Sequence, residues 1–358
     1  MSINLNPAHW HYFAEGAANL ILKSDLPEYR NKLLRVRKLA PGSPTTSDIN
    51  HFYQTQVLPI LGDYYVGTEL VDLPPGFAAA INSRLPAEGQ RNDKPLDENE
   101  TQAFLMESVY DSPDYCQESF KVKSTTFTLC RLPITDANVE DNNNIQEIVL
   151  EFKPKWLVPS PNSGDTSLRC RTCALAYNRG KTPGLCPLDL VSNDAAVVER
   201  AFAAEFANLS RHLDPTVYPV AEIVARGLYQ SELLDKLKQL QSLDGRGILW
   251  YDSTEEEIDD DFLTAMAARD CTLFITIKLN NVNTSPCKSG EKASRAEKIV
   301  NVGGTDYSIR LKIADIDLKN PSPEKRQYWA DIERGLIKEN WYYKKTLPVC
   351  TSLARGTV

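Results

Sequence analysis

Two apolar runs end in side chains whose types suit phosphate chemistry. Asp270 stands at the head of Asp270-Cys-Thr-Leu-Phe-Ile-Thr-Ile277, and Asp315, Asp317 and Lys319 follow the run that begins at Tyr307. Carboxylates converging at strand ends can hold Mg²⁺, which takes oxygen ligands and is commonly shared with nucleotide phosphates. One such carboxylate can also accept a hydroxyl proton. Acid and base side by side in Asp315-Ile-Asp-Leu-Lys319 suit phosphoryl transfer, where the metal and the migrating group both need neutralising. Taken singly, each aspartate reads equally well as a strand-end turn residue.

A second constellation is Glu151-Phe-Lys-Pro-Lys155 at the end of the alternating run Ile145–Phe152. A period of two puts Glu151, Lys153 and Lys155 on one face, and Pro154 marks an edge or the end of the strand. The stretch from Glu151 to Lys181 carries six Lys/Arg, among them Arg171 and Arg179, against two acids. Such a cluster grips phosphates, although a solvated strand tip is the plain alternative. Within the same stretch, Cys170-Arg-Thr-Cys173 invites a zinc reading, but a structural site needs a second ligand pair and only Cys186 follows nearby. Glu15-Gly-Ala-Ala-Asn19 is a small-residue turn whose backbone N–H groups could face a phosphate chain, or simply a tight hairpin turn. It is not a Walker loop, because no Gly-Lys-Ser/Thr follows.

The elements that must position these groups can be read in outline. The 358 residues suggest about two domains. Apolar content of 42% and charged content of 25% exclude a disordered chain, a collagen and a coiled coil. No run approaches the roughly 20 apolar residues of a membrane span, and mean hydropathy is −0.36. The first ten residues carry no basic and apolar leader pattern, so the eight cysteines are expected to be reduced thiols and the protein cytoplasmic and/or nuclear, not secreted. The net charge of −8 offers no long-range attraction to a polyanion. It is unevenly placed, however, since Glu255–Asp261 holds six acids in seven residues. Strands are expected over 17–22, 32–37, 101–106, 145–152, 270–277 and 307–317. Helices are expected over 48–61 with Asp48 as N-cap, and over 194–212, 231–243 and 324–338.

Together these stretches resemble the inositol-pentakisphosphate 2-kinase family. The resemblance rests on Glu15-Gly-Ala-Ala-Asn19, Leu34-Arg-Val-Arg-Lys38, Glu151-Phe-Lys-Pro-Lys-Trp156, Cys170-Arg-Thr-Cys173, Cys186-Pro-Leu-Asp-Leu190, Arg269-Asp-Cys271 and Asp315-Ile-Asp-Leu-Lys319, in that order. The diverged intervals suggest a fungal member. The resemblance implies an α+β, two-lobed kinase-like fold: a smaller N-terminal lobe with an antiparallel sheet (1–108), a larger C-terminal α+β lobe (109–358), and an ATP cleft between them. It implies ATP- and Mg²⁺-dependent phosphorylation of the 2-hydroxyl of inositol 1,3,4,5,6-pentakisphosphate to the hexakisphosphate (phytate), by a monomer with no nucleic-acid partner and no membrane insertion.

Residue by residue, the resemblance puts Glu15, Gly16, Ala17, Ala18 and Asn19 over the ATP phosphates. Arg35 takes the place of the protein-kinase strand lysine. Met106, Glu107 and Val109 belong to the hinge that meets adenine, with Glu151 near the nucleotide and Arg211 near its phosphates. Arg91, Lys153, Lys155, Arg171, Arg179 and Lys319 are the substrate contacts. Asp270, supported by Lys153, is the catalytic base, and Asp315 and Asp317 hold the metal.

The chain also departs from the family pattern. Ala174-Leu-Ala176 stands where a Met-His-Gln run is usual, Arg179 where a lysine is usual, and Asn320 where a proline is usual. The zinc site of the plant member has no counterpart, and no metal other than Mg²⁺ is expected. The rival readings are another small-molecule or protein kinase, a catalytically weak or inactive inositol-polyphosphate binder, and a zinc-linked scaffold. The first lacks its His-Arg-Asp, Asp-Phe-Gly and Pro-x-x-x-Asp-x-Lys-x-Gly motifs here. The second does not explain why Asp270 and Asp315 are both present.

Overall fold

Alternation of apolar and polar residues between Trp10 and Arg37 builds three neighbouring strands, and the buried run Gln102–Glu107 completes their sheet. The computed structural model describes residues 5–40, 42–85, 94–110, 116–131, 145–279 and 294–357. They form two compact units, Met1–Pro59 with Tyr65–Asp114, and Ile60–Tyr64 with Tyr115–Val358. Two antiparallel sheets with helices make this an α+β, two-lobed kinase-like protein.

The first unit holds β1 (Trp10–Glu15), β2 (Asn19–Ser24), β3 (Lys32–Arg37), α1 (Thr46–Phe52), α2 (Leu58–Leu61, which runs on into the second unit), β4 (Thr68–Asp72), α3 (Phe77–Asn82) and β5 (Gln102–Glu107). Its sheet order is β1-β2-β3-β5-β4. Leu20, Leu22, Leu34, Val36, Ala103 and Leu105 form one buried cluster with Trp10 and Phe77. The helix expected over 48–61 starts earlier and is interrupted. Thr45, not Asp48, is its N-cap. Asp48 sits at the third helical position and closes a capping box, with the Thr45 N–H donating to its Oδ2 at 2.8 Å. A π turn over Tyr53–Val57 then separates α1 from α2.

One buried ion pair ties the Gly16 turn to the sheet. Lys38, directly after β3, has no exposed side-chain surface. Its Nζ donates to Glu15 Oε2 at 2.5 Å and to the Gly16 carbonyl at 2.8 Å.

The second unit is built on a six-stranded sheet of order β10-β11-β9-β8-β7-β6. In chain order its elements are β6 (Cys116–Val122), β7 (Thr125–Arg131), β8 (Ile145–Phe152), α4 (Arg171–Asn178), α5 (Pro187–Leu190), α6 (Ala195–Glu205), α7 (Val220–Leu228), α8 (Glu232–Gln241), α9 (Ile248–Thr254), α10 (Asp260–Ala268), β9 (Thr272–Lys278), β10 (Glu297–Val302), β11 (Thr305–Ala314), α11 (Pro323–Lys338) and α12 (Thr351–Arg355). Ile148, Leu150, Leu273, Ile275, Ile277, Ile309 and Ile313 are buried in the middle of this sheet. A Cβ on Gly227 of α7 would lie 2.2 Å from Ile309 Cδ1, so glycine lets this helix approach β11 closely. The acidic run Glu255–Asp261 links α9 to α10, and Asp259 caps α10 by accepting from Phe262 N.

Far along the chain, Cys350 meets Cys170, Cys173 and Cys186. This corrects the expectation that the Cys170/Cys173 pair lacks a fourth sulfur, because the missing partner comes from the last turn of chain before α12. Among the described residues no helix is long and apolar enough to cross a membrane.

Removing one member of a buried ion pair strands the other charge and costs about 3–5 kcal/mol. Lys38→Met is therefore expected to lower the urea midpoint of the first unit strongly. Adding Glu15→Gln should restore more than half of the loss; no restoration would mean that Lys38 contributes by packing rather than by its charge.

Candidate active site

Sheet pairing explains how residues far apart in the sequence come together. β8 runs antiparallel to β9 with Phe152 opposite Leu273, and β11 runs antiparallel to β9 with Ala314 opposite Thr272. The ends of β8 and β11 thus flank the beginning of β9. Lys153 and Lys155 leave from one side, Asp315, Asp317 and Lys319 from the other, and Asp270 lies between. Lys155 and Asp315 both adopt left-handed backbone, each at φ 59°. Such conformations are costly for residues other than glycine and concentrate where surrounding structure needs them.

Asp270 is the hub. Its Oδ1 accepts from Lys153 Nζ and Lys155 Nζ, each at 3.1 Å, and its Oδ2 from Lys319 Nζ at 3.1 Å. Lys153 also donates to the Asp270 carbonyl at 2.9 Å. Burial alone would raise the Asp270 pKa, but Lys319, Lys153 and Lys155 together hold it well below the usual carboxylate range. Next to this hub, Thr272 Oγ1 donates to Asp315 Oδ2 at 2.9 Å. Loss of solvation, then the nearby Asp315 carboxylate, push Glu151 upward. The Glu151 and Asp315 carboxylates, with the Thr272 hydroxyl beside Asp315, are hard-oxygen donors of the kind that Mg²⁺ takes. Asp317, half-buried on the same stretch, could add a further oxygen.

Beside Asp270 opens a cavity of about 550 Å³ within the second unit, a size ordinary for a small-molecule site. Lys155, Arg171, Arg179, Lys181, Arg269, Lys319 and Lys325 line it, with Asp270 as the one carboxylate among the described residues. Two helix faces supply much of the wall. From α4 and its C-cap come Arg171, Thr172, Leu175, Ala176 and Arg179, and from α11 come Lys325, Tyr328, Trp329 and Ile332. The second set recurs at three- and four-residue intervals, so one stripe of the helix faces the cavity. Leu175 and Ala176 occupy the stretch where the family's Met-His-Gln run is absent, and they give this wall an apolar part.

Trp156 orders the cationic wall. The Arg171 and Arg269 guanidinium carbons lie 4.5 and 3.9 Å from its ring centroid. Arg171 Nε is 3.3 Å from Glu333 Oε1. Arg269 Nη1 donates to the fully buried Asp244 at 2.8 Å, and its Nη2 to the Gln241 carbonyl at 3.0 Å. Burial lowers the Arg269 pKa, and Asp244 opposes that shift.

The structure therefore brings together Lys153, Lys155, Asp270 and Lys319 by direct contact, with Glu151 and Asp315 adjacent and Arg171 and Arg179 on the cavity wall. Arg211 lies apart on an exposed 3₁₀ turn, Leu209–Arg211, and is not among the cavity-lining residues. Arg91 lies outside the described residues. The remaining positions belong to the first unit. Glu15 to Asn19 form the β1–β2 turn, in which Gly16 N donates to Asn19 O at 2.9 Å, and a Cβ on Gly16 would meet nothing within 4 Å. Arg35 is buried, donating to Tyr53 OH at 2.9 Å, and its Nη2 lies 2.6 Å from the Asn19 amide oxygen. Met106 is buried within β5, Glu107 ends that strand, and Val109 follows it. Arg269, Lys181, Lys325, Tyr328 and Trp329 were not singled out from sequence as substrate contacts. The apolar and basic stripe on α11 was the available signal.

Comparison with known proteins points to one family. The family model described as inositol-pentakisphosphate 2-kinase matches residues 12–335. An inositol-pentakisphosphate 2-kinase of Yarrowia lipolytica (strain CLIB 122 / E 150) is 29% identical over 340 residues, covering 95% of this chain and 94% of the relative. One of Debaryomyces hansenii is 25% identical over 362 residues, covering 92% and 91%. A cavity wall built from cations, an ionised aspartate at its edge and a match over nearly the whole chain lead to one statement: the chain belongs to the inositol-pentakisphosphate 2-kinase family.

Proposed function

We propose that this protein transfers the γ-phosphoryl group of ATP to the 2-hydroxyl of inositol 1,3,4,5,6-pentakisphosphate, giving inositol hexakisphosphate. The observation that carries this reading is the cavity beside Asp270, where, among the described residues, seven Lys/Arg side chains face a single carboxylate. A densely phosphorylated small molecule is the ligand that such a wall would hold.

In this reading Lys153, Lys155, Arg171, Arg179 and Lys319, joined by Lys181 and Lys325, bind the phosphates of the inositol ring. Asp270 accepts the proton of the attacking hydroxyl. Its three lysine partners suppress its basicity in the free protein, and they are also the groups that incoming phosphates would draw away. Binding of the polyanion thus releases the carboxylate and raises its pKa where the hydroxyl arrives. Glu151, Asp315 and Asp317 hold Mg²⁺, which when bound neutralises phosphate charge. In the first unit, the Glu15, Gly16, Ala17, Ala18 and Asn19 turn and Arg35 contact the ATP phosphates, and Met106, Glu107 and Val109 meet adenine. Arg211 is a further candidate for the ATP phosphates.

Incubation with ATP, Mg²⁺ and inositol pentakisphosphate, followed by separation of the products, should yield hexakisphosphate. Tight binding of the pentakisphosphate without turnover would instead favour a non-enzymatic binder. Asp270→Asn is expected to lower kcat by about 10²–10⁴-fold, the usual contribution of a positioned base, while ATP binding measured by calorimetry stays within a few-fold. A variant that keeps its turnover would remove Asp270 from the chemistry. Lys153→Ala should raise KM for the inositol phosphate by about ten-fold or more, in line with loss of a charged hydrogen bond, and leave KM for ATP nearly unchanged. Equal rises would reassign Lys153 to the nucleotide.

A further inference from the structure

The apolar stripe of α8 ends in a polar side chain. Leu233, Leu237 and Leu240 recur at helical spacing and are buried, and Gln241, the last residue of the helix, is fully buried with them. It is not among the residues that line the phosphate cavity. We propose that Gln241 is a positioning residue for the reaction: its carboxamide sets the backbone of Lys155 and the end of α10, and through them the meeting of Lys155 with Asp270. The role in turnover rests on the kinase reading above, whereas the contacts that carry it do not.

A buried amide costs free energy unless its donors and its acceptor are all met. Here they are. Gln241 Oε1 accepts from Leu157 N at 2.7 Å, and Nε2 donates to the Lys155 carbonyl at 2.8 Å and to the Ala268 carbonyl at 3.2 Å. Reversing the amide would set N–H against N–H and oxygen against two carbonyls, so these partners admit a single orientation. Every partner is backbone, so the side chain fixes the path of the chain on both sides of it.

On one side it holds the exit of β8. The Lys155 carbonyl and the Leu157 N–H lie to either side of Trp156, the ring on which Arg171 and Arg269 stack. Lys155 itself has left-handed backbone at φ 59°, a conformation that a residue with a side chain keeps only where its surroundings impose it. The bonds from Gln241 fall on the carbonyl of that residue and on the N–H two residues later. Relaxing the backbone at Lys155 would re-aim its Cα–Cβ bond and withdraw Nζ from Asp270 Oδ1, which it meets at 3.1 Å.

On the other side it holds the approach to Asp270. Ala268 is the last residue of α10, and the final carbonyls of a helix have no partner within it. Gln241 Nε2 satisfies this one, two residues before Asp270. Arg269 returns a bond from Nη2 to the Gln241 carbonyl at 3.0 Å, while its Nη1 donates to Asp244 Oδ2 at 2.8 Å and Asp244 Oδ1 accepts from Gly247 N at 2.7 Å. The segments that carry Lys155 and Asp270 are thus joined twice, by their own side chains at the cavity edge and behind it by one buried amide. Gln241 acts on turnover through the placement of the base, without touching the substrate.

Gln241→Met keeps nearly the same volume and removes the bonds to Lys155, Leu157 and Ala268. Its kcat with inositol pentakisphosphate should fall about 10²-fold, the scale of a misplaced reacting group, with KM for the inositol phosphate raised several-fold and KM for ATP unchanged. Leu237→Ala, one turn earlier in the same buried stripe, controls for lost stability alone. It should lower the melting temperature at least as much and keep kcat within about two-fold of wild type. Equal losses of kcat in the two variants, or a Gln241→Met protein that keeps its turnover, would overturn the proposal. Crystal structures of the wild type and Gln241→Met give a readout that needs no turnover. Lys155 should leave the left-handed region, with its Nζ beyond about 4 Å from the Asp270 carboxylate, the outer limit of an ion pair. An unchanged Lys155 backbone and an unchanged contact with Asp270 would overturn the proposal. A wild type that forms no hexakisphosphate would reject the kinase reading, and the structural comparison would then decide alone. If Gln241→Met does not fold, Gln241→Glu, which keeps the shape and the acceptor for Leu157 N, takes its place in both measurements with the same outcomes.

Discussion

The second unit is organised around one carboxylate held by three ammonium groups. Asp270 meets Lys153, Lys155 and Lys319, each at 3.1 Å. These cations come from the ends of two strands that the antiparallel sheet places on either side of β9. Without the carboxylate, three like charges would crowd one strand end, and without the strand register they would not meet. The arrangement is only half shielded from water, so its strength lies less in stability than in what it stores: cations concentrated in one place, held by a weak competitor that a polyphosphate can displace.

The cationic wall extends that principle outward from the hub. Arg171 and Arg269 are not free donors waiting in solvent. Each stacks on Trp156 and is tied by a buried acid, Glu333 or Asp244. Guanidinium groups anchored in this way lose little further freedom on binding a ligand, which is how a site gains affinity without added contacts. The protein's net charge of −8 then ceases to be an objection to a polyanionic ligand. Attraction acts over the few ångströms of the cavity, and the acidic run between α9 and α10 accounts for most of the opposing charge.

What could be read from the sequence divides along physical lines. Strands with strong alternation, such as β8 and β9, and motifs in which acid and base are neighbours, such as Asp315-Ile-Asp-Leu-Lys319, carry their signal locally. The convergence of Glu151-Phe-Lys-Pro-Lys155 with Asp270 does not, because it depends on which strands pair. Thr45 displaced Asp48 as the cap of α1 because either residue can accept a backbone N–H and only the helix start decides between them. Arg269 was hidden beside a more conspicuous aspartate. Cys350 was invisible as a partner of Cys170 and Cys173 because the link lies in tertiary packing and leaves no spacing rule in the chain. Gly16, by contrast, was noticed for its freedom, and the open space beside it shows that the first unit's own packing does not demand glycine there.

The attachment of the C-terminal segment has a consequence for how the protein is made. Arg169 is buried under carbonyls of residues 341–348, and Asp189 accepts from Ser352 N at 2.9 Å. The α4 wall of the cavity therefore rests on residues 341–352, far along the chain from it. The sheet of the first unit is drawn from residues 10–107 and can close while translation continues, as domains near the N-terminus generally do. The second unit must wait until residues 341–352 have been made before Arg169 and Asp189 find these partners, so the cavity is completed late, and loss of that segment strikes the ligand site.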